Sequence, residues 1–389
     1  MLPFINLQSQ FKRIQSEVEE RVVSVLRSGQ YILGPAVSEF ENKLAEFAKV
    51  KHVVSCSSGT DALKIALMAK GVGPGDAIFT SPFTYFATAE VISLLGATPI
   101  FVDIDINTFN IDPEALRAAI LALKECDNAN SVLPNWSLEK LRSLNPKGII
   151  TVDLFGLPAD HDSINSIAAE NNLFVIEDAA QGFGGEVNGR HAGNLAEVGC
   201  TSFFPAKPLG CYGDGGALFT NDDNLASLFR SIRVHGQGID RYENVRLGLS
   251  GRLDTIQAAI LIPKLGIFPD ELIERQRVAT TYEKLISSST LDIITPRVPE
   301  GYYSAWAQYS VLAVDSMARQ AILDRLKSAG VPTMIYYKRP LHLQKAFANL
   351  SYQVGDFPVT EQASDRIFSL PMHPYLDDKS IAFIVEAMT

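Results

Sequence analysis

The sequence contains few cysteines and no long apolar run. Its 389 residues include four cysteines, at positions 56, 126, 200 and 211, and their spacings match neither a zinc site nor a redox motif. We therefore expect reduced thiols, no metal and a cytoplasmic protein. No window approaches the roughly 18 consecutive apolar residues of a membrane-spanning helix, and the first residues lack the pattern of a signal peptide. These absences predict a chain without a membrane partner.

Positive charge is also scarce. The chain has 34 Lys and Arg residues against 44 Asp and Glu residues, which gives a formal net charge of −10, and it contains no basic run. This balance argues against a surface that binds nucleic acid or anionic membranes, because both need clustered positive charge. If the protein binds an anionic ligand, it must do so with local hydrogen-bond donors.

The length and composition predict a globular protein of two or three domains. Hydrophobic residues make up 47% of the chain and charged residues 20%, so a large buried core is expected and extensive disorder is excluded.

Short apolar runs alternate with helical stretches along the first two thirds of the chain. Apolar residues at steps of three and four predict two opening helices, the first ending at Gly29. Strands are then predicted at 52–56, 77–80, 99–102, 148–153, 173–177, 199–204 and 217–220, with helices between most of them. This alternation predicts an α/β fold with a mostly parallel sheet covered by helices on both faces.

Two stretches depart from this rhythm. Residues 124–147 are polar, and we interpret them as an insertion outside the core, with a substrate lid as the less favoured alternative. After about Pro263 the predicted elements are a helix at 271–287, a strand at 309–314, a helix at 317–329 and a strand at 333–337. We therefore predict a large α/β domain over 1–262 and a smaller C-terminal α+β domain over 263–389.

The residues best suited to chemistry lie between positions 174 and 222. Asp178 ends a predicted buried strand, Gln181 follows three residues later, and Lys207 lies in a loop rich in proline and glycine. Pyridoxal 5′-phosphate (PLP) needs an amine for a Schiff base and an anion beside its ring nitrogen. Lys207 and Asp178 could supply these groups, and Gln181 could donate a hydrogen bond to the phenolic oxygen of the ring.

Other residues could hold the remaining parts of this cofactor. The turn at 57–61 leads from a strand into a helix, and the amides of Gly59 and Thr60 could bind a phosphate there. Ser202 could add a hydroxyl group, and Tyr85 could stack on the ring. Taken singly, each of these residues is more often a surface, capping or core residue. Their order on successive strand ends favours the cofactor.

The chain also resembles a known family. The segments ILGPAVSEFE, SSGTDAL, FTYFATAE, PIFVDID, VIEDAAQ, SFFPAKPLGCYGDGGALFTND, GRLDTIQAAIL and SLPMHPYLD are similar to those of the DegT-type nucleotide-sugar aminotransferases, which are PLP enzymes of fold-type I. The resemblance covers almost the whole chain. It is strongest to enzymes that aminate C3 of a UDP-2-acetamido-2-deoxy-3-keto-hexuronate.

This resemblance implies a role for each matching residue. Lys207 matches the catalytic Schiff-base lysine, Asp178 the partner of the ring nitrogen, and Gln181 the residue beside the phenolic oxygen. Gly59, Thr60 and Ser202 match phosphate-binding positions, and Tyr85 matches the stacking aromatic. Arg252 matches an arginine that reaches the sugar carboxylate from the neighbouring subunit. Two positions differ: Ser250 replaces an asparagine that contacts the phosphate, and Tyr336–Tyr337 replaces a His-Tyr pair at the substrate.

The resemblance further implies a homodimer with shared active sites, L-glutamate as amino donor, pyridoxamine phosphate between the two half-reactions, and a place in the synthesis of polysaccharide precursors such as those of O-antigen. Two alternatives stay open. One is a C3 or C4 aminotransferase of a dTDP-, UDP- or GDP-linked keto-6-deoxyhexose. The other is a non-catalytic regulator that binds PLP or a sugar. A nicotinamide oxidoreductase is disfavoured because no glycine-rich fingerprint follows the first strand.

Overall fold

A computed structural model describes residues 2–126, 133–134, 136–240 and 242–389. Its α-helices are α1 (Leu7–Ser28), α2 (Pro35–Ala48), α3 (Gly59–Ala69), α4 (Ala87–Leu94), α5 (Pro113–Glu125), α6 (Leu138–Arg142), α7 (His161–Asn171), α8 (Asp223–Ile232), α9 (Thr255–Ser287), α10 (Ser316–Ser328), α11 (Pro358–Arg366) and α12 (Asp378–Met388).

Its strands are β1 (His52–Cys56), β2 (Asp76–Thr80), β3 (Thr98–Phe101), β4 (Asn145–Val152), β5 (Phe174–Asp178), β6 (Glu186–Val187), β7 (Arg190–His191), β8 (Val198–Ser202), β9 (Gly216–Thr220), β10 (Ile293–Ile294), β11 (Tyr302–Tyr303), β12 (Tyr309–Ala313) and β13 (Ile367–Leu370).

Seven strands form the central sheet in the order β1-β9-β8-β5-β4-β2-β3. All pairs are parallel except the two that involve β9. Successive side chains of a β-strand point to opposite faces of the sheet, so they pack in different hydrophobic cores. Ile149 packs in the core that includes α5 and α7, whereas its neighbour Ile150 packs in the core that includes α3 and α8. The predicted α/β class and the helices on both faces are confirmed.

The helix ends follow the capping signals of the sequence. The side chain of Asp112 accepts hydrogen bonds from two amides at the start of α5, where Pro113 occupies the first turn. Ser58 caps α3 in the same way, accepting from the Asp61 amide at 3.0 Å. At the other end of α1, Gly29 takes the left-handed conformation with φ of +68°. These caps fix where the helices begin and end relative to the sheet.

Three expectations about the second half of the chain need comment. The helix predicted to begin at residue 271 begins at Thr255 instead, because Pro263 and Pro269 lie inside α9 without ending it. The strand predicted at 333–337 is wrong: Met334 forms a single bridge to Ser369. The boundary proposed at 262/263 falls within α9, and the division into two domains remains a prediction. A second sheet, β10-β12-β13, does lie in the C-terminal part.

The interpretation of 124–147 as a segment outside the core is also wrong at three of its apolar residues. Leu133, Trp136 and Leu141 are buried in the core formed with α5 and α7, and the Trp136 indole donates to the Leu350 carbonyl at 2.8 Å. Residues 127–132 and 135 lie outside the described residues. These three apolar residues lie in a segment of mainly polar composition, which is why the sequence pattern concealed their burial. Among the helices in the described part of the chain, none combines the length with the apolar character that a membrane span requires.

Candidate active site

A cavity of about 600 Å³ opens at the carboxyl edge of the central sheet. This edge is where ligands bind in open α/β folds, because the parallel strands end there together. The last residues of β4, β5 and β8 (Val152, Asp178 and Ser202) all line the cavity. The remaining lining includes the start of α3, the 84–87 segment, the loop that carries Lys207 and the 336–344 segment.

Asp178 presents a buried carboxylate to this cavity. It is 6% exposed, and its two oxygens accept hydrogen bonds from the Thr88 hydroxyl at 2.9 Å and from the Ala180 amide at 3.2 Å. Burial raises its pKa, and the Thr88 hydroxyl, the Lys207 charge and the Ala180 amide act in the opposite direction. These three partners favour the ionised form of Asp178 despite its burial.

Lys207 lies in the loop between β8 and β9 and lines the same cavity. Its amide donates to the Phe204 carbonyl at 2.9 Å, which forms a tight turn. Burial lowers the pKa of its amine, and the charge of Asp178 opposes that shift. A lowered pKa increases the neutral fraction of the amine, which is the form that acts as a nucleophile or a base.

Gln181 is held in one orientation by two partners. Its Oε1 accepts from the Phe155 amide at 2.9 Å, which directs the Nε2 amide group toward the Tyr337 hydroxyl at 3.0 Å. Gln181 is buried, and Tyr337 and Tyr336 both line the cavity. Burial raises the pKa of Tyr337, so its hydroxyl stays neutral near pH 7 and can donate a hydrogen bond. This side of the cavity is therefore lined by hydrogen-bond donors.

The beginning of α3 can hold an anion such as a phosphate. The free amides of a first helical turn and the helix dipole both favour negative charge there. Gly59 lies so close to β8 that a Cβ atom at this position would come within 2.6 Å of the Ser202 Cβ. The missing side chain lets the amides of Gly59 and Thr60 and the Ser202 hydroxyl line one pocket.

The structure thus brings nine predicted site residues to one cavity. They are Gly59, Thr60, Tyr85, Asp178, Gln181, Ser202, Lys207, Tyr336 and Tyr337. Tyr85 is 59% exposed, so its ring is available to a ligand. The other two, Ser250 and Arg252, are not among the cavity-lining residues of this chain. They contact each other, with the Arg252 guanidinium donating to the Ser250 hydroxyl at 2.7 Å.

Sequence reasoning missed several residues of the site. Thr88, which donates to Asp178, lies in the FTYFATAE segment only three residues after Tyr85. The spacing is one helical turn and could have suggested a shared face. Asp214 lines the cavity without an obvious sequence signal. Lys264, buried in α9, donates to the Gly210 carbonyl at 2.5 Å and thereby supports the loop that carries Lys207.

The residues present fit PLP. The cavity combines an amine, a buried carboxylate and a helix beginning whose close approach to Ser202 requires glycine. When bound, PLP forms an imine with an amino group and withdraws electrons from the adjacent carbon. The chain would supply the amine through Lys207, balance the ring charge through Asp178 and hold the phosphate at α3. The fold and site define a PLP-dependent aminotransferase of fold-type I.

Comparison with known proteins identifies the family. The chain belongs to the DegT/DnrJ/EryC1/StrS aminotransferase family, whose model matches residues 12–389. A relative from Pseudomonas aeruginosa, described as UDP-2-acetamido-2-deoxy-3-oxo-D-glucuronate aminotransferase, is 48% identical over 389 residues, which cover 100% of both chains. The resemblance inferred from the sequence is confirmed.

Solved structures agree with this assignment. A DegT DnrJ EryC1 StrS aminotransferase from Brucella abortus superimposes with a TM-score of 0.92 at 45% identity, over 100% of this chain and 98% of the other. The S. venezuelae protein DesV, solved in complex with a ketimine intermediate, superimposes with a TM-score of 0.89 at 30% identity, over 99% of this chain and 97% of the other.

Proposed function

We propose that this enzyme transfers the amino group of L-glutamate to C3 of a UDP-2-acetamido-2-deoxy-3-keto-hexuronate. The chemistry is supported by one observation above all, that the Lys207 amine and the Asp178 carboxylate line the same cavity. The substrate is supported by the 48% identity, over the full length, to the P. aeruginosa relative. The product would be an amino nucleotide sugar, a building block that polysaccharides such as O-antigen require.

In this proposal Lys207 has two tasks. Its amine holds the cofactor between turnovers, and once released it moves a proton from Cα of the donor to the cofactor side. The lowered pKa of Lys207 supports the second task, because a neutral amine is needed to accept the proton. Asp178 would keep the ring nitrogen protonated. Gln181 Nε2 donates to the Tyr337 hydroxyl, so the Tyr337 O–H and the second N–H of Gln181 would be available to the oxygens of a bound ligand.

The sugar carboxylate requires a cation, and two arginines are available. Arg339 lines the cavity, where its Nε donates to the Leu343 carbonyl at 2.6 Å. Arg252 matches the arginine that contacts the carboxylate in similar enzymes, but in this chain it is not part of the cavity lining. A second subunit would have to bring Arg252 to the site. A guanidinium suits this task because its fork of donors matches a carboxylate.

A homodimer is therefore part of the proposal. Large apolar side chains are almost fully exposed in the segment that precedes Arg252, namely Ile239, Tyr242 and Leu247. Large exposed apolar side chains that lie close together in the chain are typical of a surface that another chain covers. A second copy of this chain would bury these side chains and place Ser250 and Arg252 beside the partner's cavity. Light scattering should give twice the chain mass for the wild type and a lower mass for Leu247→Asp.

The test of activity uses purified enzyme, PLP and L-glutamate with two classes of acceptor. We expect amination of the 3-keto-hexuronate and at least about tenfold lower kcat/KM for keto-6-deoxyhexoses, because these lack the carboxylate. Lys207→Ala should abolish amination, whereas Lys43→Ala, an exposed lysine on α2, should leave it unchanged. If the enzyme aminated only the keto-6-deoxyhexoses, the 3-keto-hexuronate would be the wrong substrate and a keto-6-deoxyhexose would replace it.

Glutamate itself separates an enzyme from a non-catalytic regulator. Adding L-glutamate without acceptor should convert the bound cofactor to pyridoxamine phosphate and shift its absorbance. A spectrum that does not change on addition of any amino donor would favour the regulator.

A further inference from the structure

Three titratable side chains are buried together behind Asp178. Asp153 follows the end of β4, Glu177 precedes Asp178 on β5, and His161 begins α7. All three are fully buried, and one ligand atom from each lies within 4.8 Å of the others. None of them lines the described part of the cavity, so none can contact a substrate directly.

The hydrogen bonds of this cluster leave one oxygen without a donor. The two oxygens of Glu177 accept from the backbone amides of Gly193 at 2.6 Å and Leu195 at 3.0 Å. Asp153 Oδ1 accepts from the Ala159 amide at 3.0 Å and pairs with His161 Nε2 at 2.8 Å. Among the described residues, Asp153 Oδ2 is buried and has no N–H partner.

The Glu177 carboxyl group is a close neighbour of Asp153, with one oxygen of each group within 4.8 Å of the other, and the charge of Asp153 is one of the causes that raise the pKa of Glu177. Two ionised carboxylates cannot hydrogen-bond to each other, and two adjacent buried charges are costly. We infer that Asp153 and Glu177 share a single proton and form a positioning pair that limits the negative charge behind Asp178 to one unit.

The electrostatics of the cluster support this pairing. Burial raises the pKa of Asp153 to about 7 and that of Glu177 to about 8. Burial lowers the pKa of His161, so the imidazole is neutral and donates through Nε2. The pair therefore titrates as a unit, with one proton retained near neutral pH. The other charged groups that act on the cluster are Asp178, Asp160, Asp162 and Arg190.

The pair matters because of where it lies. The amide of Asp153 donates to the carbonyl of Asp178 at 3.1 Å, and a Cβ atom at Gly182 would come within 2.2 Å of the Asp153 Cβ. Asp153 thus packs against the turn that carries Asp178 and Gln181. The negative charge of Asp178 is one of the causes that raise the pKa of Asp153, and this coupling is reciprocal. Sharing a proton leaves Asp178 free to ionise, as its proposed role requires.

The direct test is infrared spectroscopy of the holoenzyme with labelled aspartate and glutamate. The wild type should show the C=O band of a buried carboxylic acid at pH 6, and the band should fade as the pH is raised to about 9. Asp153→Asn should lack this band. Glu170→Gln, an exposed variant in the same helix as His161, should keep it. The inference that Asp153 and Glu177 share a proton would be contradicted by either of two results. One is a wild type without the band, and the other is an Asp153→Asn variant that keeps it.

Activity and stability give two further readouts. Asn is a neutral mimic of protonated aspartic acid, so Asp153→Asn should keep activity at pH 7 within about threefold, whereas Asp153→Ala should lose at least about tenfold. A folded pKa above the unfolded value means that stability is lost as pH rises from about 4 to about 8. The Tm of the wild type minus that of Asp153→Asn should therefore fall over this range.

Two results would contradict the inference independently of folding or turnover. A stoichiometric metal ion in the purified wild-type holoenzyme would mean that the cluster is a metal site. A difference in Tm between wild type and Asp153→Asn that stays constant with pH would mean that no shared proton is lost. The inference depends on the proposed role of Asp178. The infrared band needs no substrate, however, so its absence would leave the amination assay unaffected.

Discussion

The hydrogen bond from Thr88 to Asp178 illustrates how single residues prepare this site. Thr88 lies in the first turn of α4, and its hydroxyl also contacts that of Thr84 at 3.2 Å. A buried carboxylate needs such donors to remain ionised, because burial alone raises its pKa. Thr88 would therefore act on a bound cofactor through Asp178, without being a catalytic residue itself.

Replacing Thr88 should weaken cofactor binding. Thr88→Val removes the donor with little change in shape, so the pKa of Asp178 rises further and its ionised fraction at neutral pH falls. A hydrogen bond to a charged group contributes about 1.5–3 kcal/mol, which predicts at least about tenfold weaker PLP binding by absorbance titration. The defect should shrink as the pH is raised, because Asp178 then ionises again. Thr88→Ser keeps the hydroxyl group and should bind PLP like the wild type. If Thr88→Val bound PLP as tightly as the wild type, the hydrogen bond from Thr88 to Asp178 would not contribute to cofactor binding.

At the scale of the elements, the contact between α3 and β8 determines the anion pocket. The two elements meet where the Gly59 backbone approaches Ser202. Neither element forms the pocket alone, since α3 supplies free amides and β8 supplies a hydroxyl.

Gly59→Ala should separate these elements. The added Cβ would lie 2.6 Å from the Ser202 Cβ, so one backbone must shift. Overpacking of this kind costs about 1–3 kcal/mol, and we expect roughly tenfold weaker PLP binding or more. Gly73→Ala is a matched control, because a Cβ at that position meets no atom within 4 Å. Equal PLP affinities in the two variants would show that the approach of α3 to β8 is unimportant.

The segment around Trp136 makes a second prediction at this scale. Since Trp136 is 5% exposed and donates to the Leu350 carbonyl, it should act as a core residue and not as part of a lid. Trp136→Ala should lower the free energy of unfolding by about 3–5 kcal/mol, measured by urea denaturation of the apoenzyme. Trp136→Phe fills most of the volume and should lose less. A fully stable Trp136→Ala variant with altered KM would instead support the lid.

At the scale of the whole molecule, one chain contains the cofactor site but not the full set of expected substrate contacts. The cavity holds Lys207 and Asp178, whereas Arg252 is not part of its lining. A dimer with twofold symmetry would complete both sites at once, because each subunit would contribute its Arg252 to the site of the other subunit.

Subunit mixing tests this arrangement. Lys207→Ala and Arg252→Ala should each be inactive toward the hexuronate as homodimers. If equal amounts are co-expressed, half of the dimers are mixed and each mixed dimer has one intact site. About a quarter of wild-type activity should therefore return. Two affinity tags would show that mixed dimers have formed. If these dimers recovered no activity, Lys207 and Arg252 would not belong to one active site shared between subunits.

Much of this protein could be predicted from the sequence, since local patterns carry that information. The strand His52–Cys56 and the cap of α5 follow from periodicity and capping residues, which depend on near neighbours in the chain. The chemistry of residues on successive strand ends indicated the cofactor, and together with the resemblance to a family it identified nine of the residues that line the cavity.

The tertiary structure decided what depends on residues far apart in the chain. The burial of Trp136 requires the carbonyl of Leu350, and the support of the Lys207 loop requires Lys264 on another element. The proline residues inside α9 do not end the helix. The prediction failed there because the local sequence pattern does not distinguish a proline that a packed helix tolerates from one that breaks a helix. The pairing of Asp153 with Glu177 likewise arises only when β4 and β5 lie side by side. These features depend on long-range contacts and on burial, and the pattern of neighbouring residues in the sequence determines neither.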